Sequence, residues 1–533
     1  MFTKRNALSM GMLFLLLFAS ACGGAAATES PSRDYPAEPG APAPAEPMAT
    51  AYLHEAESPL SSADSNTQDW GLPPAKRQPY DAFFEDYGVN PFIDTEDDNL
   101  STFALDVDTG SYTIMRNYLK DGLTVPPDSV RVEEYINYFE QGYPNPPAHQ
   151  AFTITMDGAP SPFTQTERYQ MLRIGVQGYQ VPDYERKDAS LTFVIDVSGS
   201  MDMDNRLGLV KRSLELLVEQ LGHRDSVSIV VYGTDARVIL DPTSGADKDA
   251  ILSAIYSLRP EGATNAEAGI RLGYRMALRA FNPDGINRVI LCSDGVANVG
   301  NTEADAILDE IHRHVEEGVT MTTIGFGMDN YNDVLMEQLA DNGDGFYAYV
   351  DDMREAKRLF IDNLTGTLQT IAMDAKIQVD FNPAVVARYR LVGFENRAID
   401  DDDFRDNSVD AGEVGAGHSV TALYEVKLYP EAYGKIATVF LRWQDPDTRQ
   451  VVELSNDFRV TDLERDFDRA NPYFQRTVIV AEFAEILKKS YWAEDSSFAD
   501  VYRETIRLSD YFESDEDMSE LLELMRRAGR WYE

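Results

Sequence analysis

The sequence predicts an α/β protein: a doubly wound, Rossmann-like domain inserted in a β-sandwich, with a small α+β amino-terminal module and a helical carboxy-terminal region. Three observations carry that prediction. Apolar strand-like runs alternate with helically spaced segments between residues 189 and 369. Period-two apolar stretches lie on both sides of that block, and helical spacing returns in 466–533. Strand–helix units of this length imply parallel strands joined by right-handed crossovers, whereas period-two alternation marks strands with one buried face.

At the amino terminus, Lys4 and Arg5 precede the apolar run Met10–Phe18, which is too short to span a bilayer and suits a secretory signal. The run ends at Ala19-Ser20-Ala21-Cys22-Gly23-Gly24. This resembles a bacterial lipobox, with Ala19 where Leu is usual, and the resemblance implies a signal over 1–22 and lipid attachment at Cys22. Residues 23–80 are rich in Ala, Pro, Glu, Ser and Thr and read as a disordered tether. Residues 81–150 form the small module, with helices over Tyr112–Leu123 and Val132–Tyr138. Strands over Phe152–Met156 and Tyr169–Val176 occupy 151–188.

Within 189–369, Leu191–Val197 is a continuous apolar run, as a strand buried on both faces requires. Leu207–Leu221 has apolar residues at helical spacing, with Lys211, Arg212, Glu215 and Glu219 on other faces. Further strands are expected at Ser226–Tyr232, Ala236–Leu240, Arg288–Cys292, Val319–Phe326 and Gly345–Val350. Helices are expected at Asp249–Leu258, Ala266–Phe281, Glu303–Glu317, Asp333–Ala340 and Met353–Leu368. In 370–465 the strands are Ala375–Phe381, Ala387–Leu391, Ser419–Leu428, Ala437–Trp443 and Gln450–Leu454, expected to share one sandwich with the strands of 151–188. The region 466–533 carries an amphipathic helix over Phe474–Tyr491 and helices over Phe498–Leu508 and Met518–Trp531. Arg526, Arg527 and Arg530 suit the C-terminal end of the last one.

The first strand of the α/β block ends in Asp196-Val197-Ser198-Gly199-Ser200. One carboxylate and two hydroxyls on a tight turn make a hard-oxygen cradle for a small divalent cation. Mg²⁺ takes oxygen ligands in near-octahedral geometry at about 2.0–2.1 Å and keeps several waters, so a few short side chains suffice. Ligands gather at this carboxyl end of an open α/β sheet. Thr264 lies in the Gly-containing loop Glu261–Glu267, and Asp294 closes the apolar run Arg288–Gly295. Asp-x-Ser-x-Ser, a loop Thr and a strand-end Asp, in that order, resemble the metal-ion-dependent adhesion site (MIDAS) of von Willebrand factor type A (VWA) domains. The resemblance implies that Ser198, Ser200 and Thr264 ligate Mg²⁺ directly (Mn²⁺ or Ca²⁺ in its place) and that Asp196 and Asp294 act mostly through bound water. It also implies that a carboxylate from a protein partner completes the shell. Outside the domain, Ser101–Tyr112, Arg131–Tyr138 with Tyr143-Pro144, and Asp410–Val426 are similar to the flanking modules of bacterial YfbK-type VWA proteins.

A net charge of -43, from 47 basic against 90 acidic residues, argues against nucleic acid or anionic membrane as partners. Contact with the membrane is expected through the lipid anchor alone. The 6 His show no metal-ligand spacing, which argues against a zinc enzyme. Of the 2 Cys, Cys292 sits in a core strand and is expected to act as a small apolar residue. There is no Gly-x-Ser-x-Gly elbow and no His partner evident for Ser198, so no residue is assigned a catalytic role. Asp106-Val107-Asp108 invites comparison with haloacid-dehalogenase phosphatases, but a solvated strand end or helix cap is expected there. Asp400–Asp403 has the carboxylates to hold Ca²⁺, but a hydrated loop is the expected reading. The expected function is that of an extracytoplasmic, membrane-anchored lipoprotein of the bacterial envelope, a binding protein and not an enzyme. The alternatives are a phosphohydrolase centred on Asp106 and Asp108, or an envelope scaffold whose metal is structural.

Overall fold

The computed structural model describes residues 80–532, apart from 81, 148, 165–167, 204, 296–300 and 329–330. The expected signal, Cys22 and the tether up to residue 79 lie outside the described residues. Strands β1 (Ile93–Asp94) and β2 (Leu100–Ala104) and helices α1 (Gly110–Lys120) and α2 (Val132–Asn137) come first, followed by β3 (Phe152–Pro160) and β4 (Tyr169–Gly178). The central domain then runs β5 (Ala189–Asp196), α3 (Leu207–Gln220), β6 (Ser226–Tyr232), β7 (Ala236–Ser244), α4 (Lys248–Ser257) and α5 (Ala266–Arg279). It continues with β8 (Ile286–Ser293), α6 (Asn301–Glu316), β9 (Thr320–Gly325), α7 (Asp333–Asp341), β10 (Tyr347–Tyr349), α8 (Met353–Lys357) and α9 (Leu364–Leu368). Six strands follow: β11 (Thr370–Phe381), β12 (Val386–Val392), β13 (Gly412–Gly415), β14 (Ser419–Leu428), β15 (Lys435–Gln444) and β16 (Val451–Arg459). Helices α10 (Pro472–Lys488), α11 (Phe498–Ser509) and α12 (Glu516–Tyr532) close the chain.

The central sheet has the order β10-β9-β8-β5-β6-β7, parallel except for the edge strand β7. Every residue of β5 is buried, as its central place demands. Helix α5 lies close on the sheet because Gly269 and Gly273 face Tyr232 and Val194, where any Cβ would collide. The flanking strands form two antiparallel sheets, β1-β12-β14-β4-β3 and β13-β11-β15-β16, with β2 also pairing β11. Strands from before and after the central domain therefore hydrogen-bond to each other, β4 to β14 along nine residue pairs. The α/β domain is inserted in a β-sandwich. Phe103, Ile174, Val176, Ile377, Phe381, Tyr424 and Trp443 belong to the core between its sheets.

Three expectations need correction. The single helix over Met353–Leu368 is broken: a π-helical turn at Arg358–Asp362 separates α8 from α9. That turn holds Arg358 over the Tyr138 ring and against Asp517 at 2.5 Å. Helix α10 is not amphipathic but buried nearly all round, since Val478–Ala481 put four apolar residues on successive faces. It packs against α2, α11 and β4. Asp106 and Asp108 are not solvated; they are 4% and 3% exposed. Asp400 and Asp402 are exposed, as expected of a hydrated segment, while Asp401 accepts a hydrogen bond from the Thr102 hydroxyl. Among the described residues, no helix is long and apolar enough to cross a membrane.

Asp106 and Asp108 belong to a buried knot of ion pairs joining three parts of the fold. Asp108 accepts from the Tyr347 amide of β10 at 3.0 Å. Arg397, beyond β12, reaches Asp106 at 3.3 Å and the α7 residues Glu337 and Asp341 at 2.8 and 2.9 Å. Arg131 donates to Asp333 at 2.6 Å and pairs with Glu134. Carboxylates outnumber guanidinium groups here. Burial, reinforced by neighbouring acids, pushes Glu134 up to about 8 and Glu337 and Glu133 up to about 7. A carboxyl whose folded pKa exceeds its unfolded value adds stability that is full below about pH 4.5 and lost as pH rises through the folded value. Urea midpoints are accordingly expected to fall between about pH 5 and pH 8, and Glu134→Gln with Glu337→Gln is expected to flatten that decline. A midpoint that rises over the same window contradicts this account of the knot.

Candidate functional site

Strands β5 and β8 run parallel and in register, Ile195 beside Cys292, so Asp196 and Asp294 emerge at adjacent strand ends. Asp196 is fully buried. One of its oxygens accepts from the Ser198 amide at 2.7 Å and the other from the Ser293 hydroxyl at 3.1 Å, which fixes its orientation. The Asp-x-Ser-x-Ser turn is laced to its surroundings. Val197 N–H donates to Tyr232 O at 2.9 Å, Gly199 N–H to Gly262 O at 3.2 Å, and Glu261 N–H to Val197 O at 2.5 Å. The last two bonds bring the 261–264 loop against the turn. Thr264 is half-buried in that loop, directly before Asn265, which caps α5 by accepting from Ala268 N–H at 3.1 Å.

The hydroxyls of Ser198 and Ser200 are 3.0 Å apart, and Ser200 also hydrogen-bonds Asp294. Asp196, Ser198, Ser200 and Asp294 thus form one hydrogen-bonded run, with Thr264 on the adjoining loop. Burial pushes the Asp294 carboxyl up to about 6, with Asp196 adding to the rise; the Ser200 hydroxyl and Arg206 oppose it. Burial also raises Asp196. Two buried carboxylates at neighbouring strand ends, with hydroxyls between them, are a donor set that fits a hard divalent cation.

Arg206 is the residue that sequence reasoning missed. Its guanidinium is buried and donates to Asp294 at 2.9 Å and to Ser200 O at 2.5 Å. The signal was a basic residue between the turn and an apolar helix, in a chain where acids outnumber bases almost two to one. Cys292 is buried in β8, as expected of a core residue.

Residues 190–362 match the family model described as von Willebrand factor type A domain. The central domain is a VWA domain. Residues 78–173 match a model described as von Willebrand factor, and residues 366–434 one described as "Uncharacterized protein YfbK, C-terminal". The chain is 39% identical to "Uncharacterized protein YfbK" of Escherichia coli (strain K12) over 66% of its own length, spanning 62% of that protein. Over 34% of its length it is 26% identical to inter-alpha-trypsin inhibitor heavy chain H2 of Mesocricetus auratus, covering 20% of that relative. A solved structure, von Willebrand factor type A from Catenulispora acidiphila, aligns with 74% of this chain and 89% of its own, at 15% identity and a TM-score of 0.42. VWA domains commonly mediate protein–protein interactions and often carry a divalent metal at a MIDAS.

Gly262 is where the loop bearing Thr264 is most constrained. Its φ is +70°, and an added Cβ would collide with the Thr234 side chain. Gly262→Ala is expected to cost about 1–3 kcal/mol, read as a lower urea midpoint. An unchanged midpoint would show that the loop's conformation is not under this constraint.

Proposed function

We propose that this chain is an extracytoplasmic, lipid-anchored binding protein whose VWA domain engages a carboxylate-bearing protein partner through Mg²⁺ at the MIDAS. The observation that supports this most is the hydrogen-bonded run Asp196–Ser198–Ser200–Asp294 at the ends of β5 and β8, with the Thr264 loop laced against it. In this reading Ser198, Ser200 and Thr264 hold the ion, and Asp196 and Asp294 hold its water. The bound ion supplies a Lewis-acidic position that a partner's carboxylate can take. Asp196 is kept in orientation by the Ser198 amide and the Ser293 hydroxyl. Arg206 balances the Asp294 charge, so the site does not hold two unopposed buried anions.

The phosphohydrolase alternative finds less support. Asp106 and Asp108 are nearly fully buried and engaged with Arg397 and the Tyr347 amide, which leaves neither free to attack a phosphate ester. A VWA domain whose metal is only structural predicts a different response to chelation, as follows.

Mg²⁺ is expected to raise the unfolding free energy of the full chain, by about 2.7 kcal/mol at a hundredfold excess over its Kd. Asp196→Ala or Thr264→Ala abolishes that gain while the far-ultraviolet circular dichroism stays native. Capture of partners from envelope extract is lost with chelator and with either variant. Capture that persists in chelator, alongside a fall in stability, sinks the adhesive reading in favour of the structural one. For the anchor, Cys22→Ser is expected to move the protein from the membrane pellet to the soluble fraction; a variant that still pellets rejects lipidation at that residue.

A further inference from the structure

Away from the MIDAS, four carboxylates meet where the VWA domain joins the sandwich. Asp344 lies in the turn between α7 and β10, Asp374 in the bulged part of β11, and Asp410 and Glu413 on the segment that enters and begins β13. Ligand oxygens of Asp344, Asp410 and Glu413 all lie within 4.8 Å of one another. Asp410 is exposed, Glu413 half-buried, and Asp344 only 9% exposed. Among the described residues the Asp344 carboxylate accepts no hydrogen bond and forms no ion pair. A buried anion aimed into a group of other anions, with no donor to meet it, is costly unless something positive joins them.

The neighbouring cations are otherwise engaged. Arg288 gives its terminal nitrogens to Thr322, to Thr367 O and to Thr370. Arg449 donates to Met373 sulfur and to Gln444. His312, the remaining basic group facing Asp344 and Asp410, is an exposed side chain on α6. The outcome is visible in the acids: burial and mutual repulsion push Asp344 up to about 7 and hold Asp410 and Glu413 above the usual carboxylate range. Asp374 faces Asp410 and adds to the repulsion that raises it.

We propose that Asp344, Asp410 and Glu413, with Asp374 beside them, form a second divalent-cation site that takes Ca²⁺ and fastens the VWA domain to the β-sandwich. The donor set favours Ca²⁺ over Mg²⁺, which demands near-ideal octahedral geometry and keeps several of its waters, so that only one or two carboxylates usually bind it directly. Ca²⁺ also accepts several carboxylates in a flexible shell of 6–8 oxygens, roughly half of which water can supply on the exposed Asp410 side. The site is separate from the MIDAS and does not rest on the adhesive reading. Because Asp344 comes from the VWA domain and the other three from β11, β13 and the segment leading into β13, the ion would bridge the two.

The test uses the full chain with the MIDAS disabled by Asp196→Ala and Ser200→Ala, so that remaining binding is not the MIDAS ion. Calorimetric titration with Ca²⁺ in chelator-stripped buffer is expected to show one equivalent bound, and thermal unfolding a higher Tm with Ca²⁺ than without. Adding Asp344→Asn and Glu413→Gln is expected to weaken Ca²⁺ binding more than about 100-fold and remove the Tm response. These changes keep shape, and Asn tolerates the positive φ of 45° at position 344. With two repelling charges gone, the Ca²⁺-free Tm is expected to equal or exceed that of the parent, so a lost response cannot be ascribed to unfolding. Absence of Ca²⁺ binding in the MIDAS-disabled parent, or equal affinity after the Asn and Gln changes, overturns the proposal.

Discussion

Parallel pairing of β5 with both β6 and β8 puts Asp196 at a strand end with no solvent exposure, and a buried carboxylate has to be met by donors or by a cation. Much of the site follows from that constraint. The turn after β5 folds back so that the Ser198 amide reaches one Asp196 oxygen, and β8 places the Ser293 hydroxyl on the other. The same turn brings Ser198 and Ser200 together and ties itself to the 261–264 loop. Glycines at 269 and 273 let α5 approach the sheet closely enough to set that loop in place. The arrangement of this turn is in that sense the way a central strand ending in Asp can be terminated.

The same difficulty recurs across the molecule, because a chain with 90 acidic residues cannot keep all of them at the surface of so many packed junctions. Two remedies are visible. Asp196 is met by neutral hydrogen-bond donors. Asp106, Asp108, Glu337 and Asp341 gather around the buried guanidinium of Arg397, and Asp351 and Glu355 around that of Arg116. The Asp344 carboxylate has neither among the described residues. Ion pairs of the second kind contribute less to net stability than their number suggests, since desolvation consumes much of the Coulombic gain. Their effect is to make separation of the modules costly, because parting leaves an unmatched charge on each face.

The strand–helix alternation of the VWA domain was readable because its strands are buried on both faces and its helices on one, so each leaves an unambiguous period. Asp196, Ser198 and Ser200 lie within one five-residue turn and Asp294 at the neighbouring strand end, so a resemblance to a known family pattern could pick them out, with Thr264 on a loop between. Arg206 was not legible: a lone Arg before a helix has no pattern, and its partner is 88 residues away. Helix α10 deceived because burial on all sides erases the polar stripe that marks a surface helix. Asp106 and Asp108 deceived for the complementary reason, since two acids in a loop look solvated until Arg397, nearly 300 residues later, is brought onto them. Strand β13 was not among the expected strands because its Gly-rich sequence carries little strand propensity; it pairs with β11 and is followed by a turn at Gly417, whose φ is +79°.

The topology of insertion also bears on how the site is presented. Both chain connections between the VWA domain and the sandwich lie at one end: Lys187, before β5, donates its amide to Gln369, just after α9, at 3.1 Å. Arg288, near the start of β8, bonds Thr367 O and Thr370 at that same end. Asp196 and Asp294 lie at the opposite end of these parallel strands, about 25 Å away for eight residues at strand rise. The base of the domain is thus held by two covalent connections and the Arg288 bonds, while the oxygen cradle lies at the other end of the strands. The cradle is bordered by the exposed Ser200 and the 261–264 loop rather than by the joint. In a parallel sheet the ends that carry loops for ligands are remote from the end at which the first strand is entered, so strand polarity alone separates the cradle from the joint.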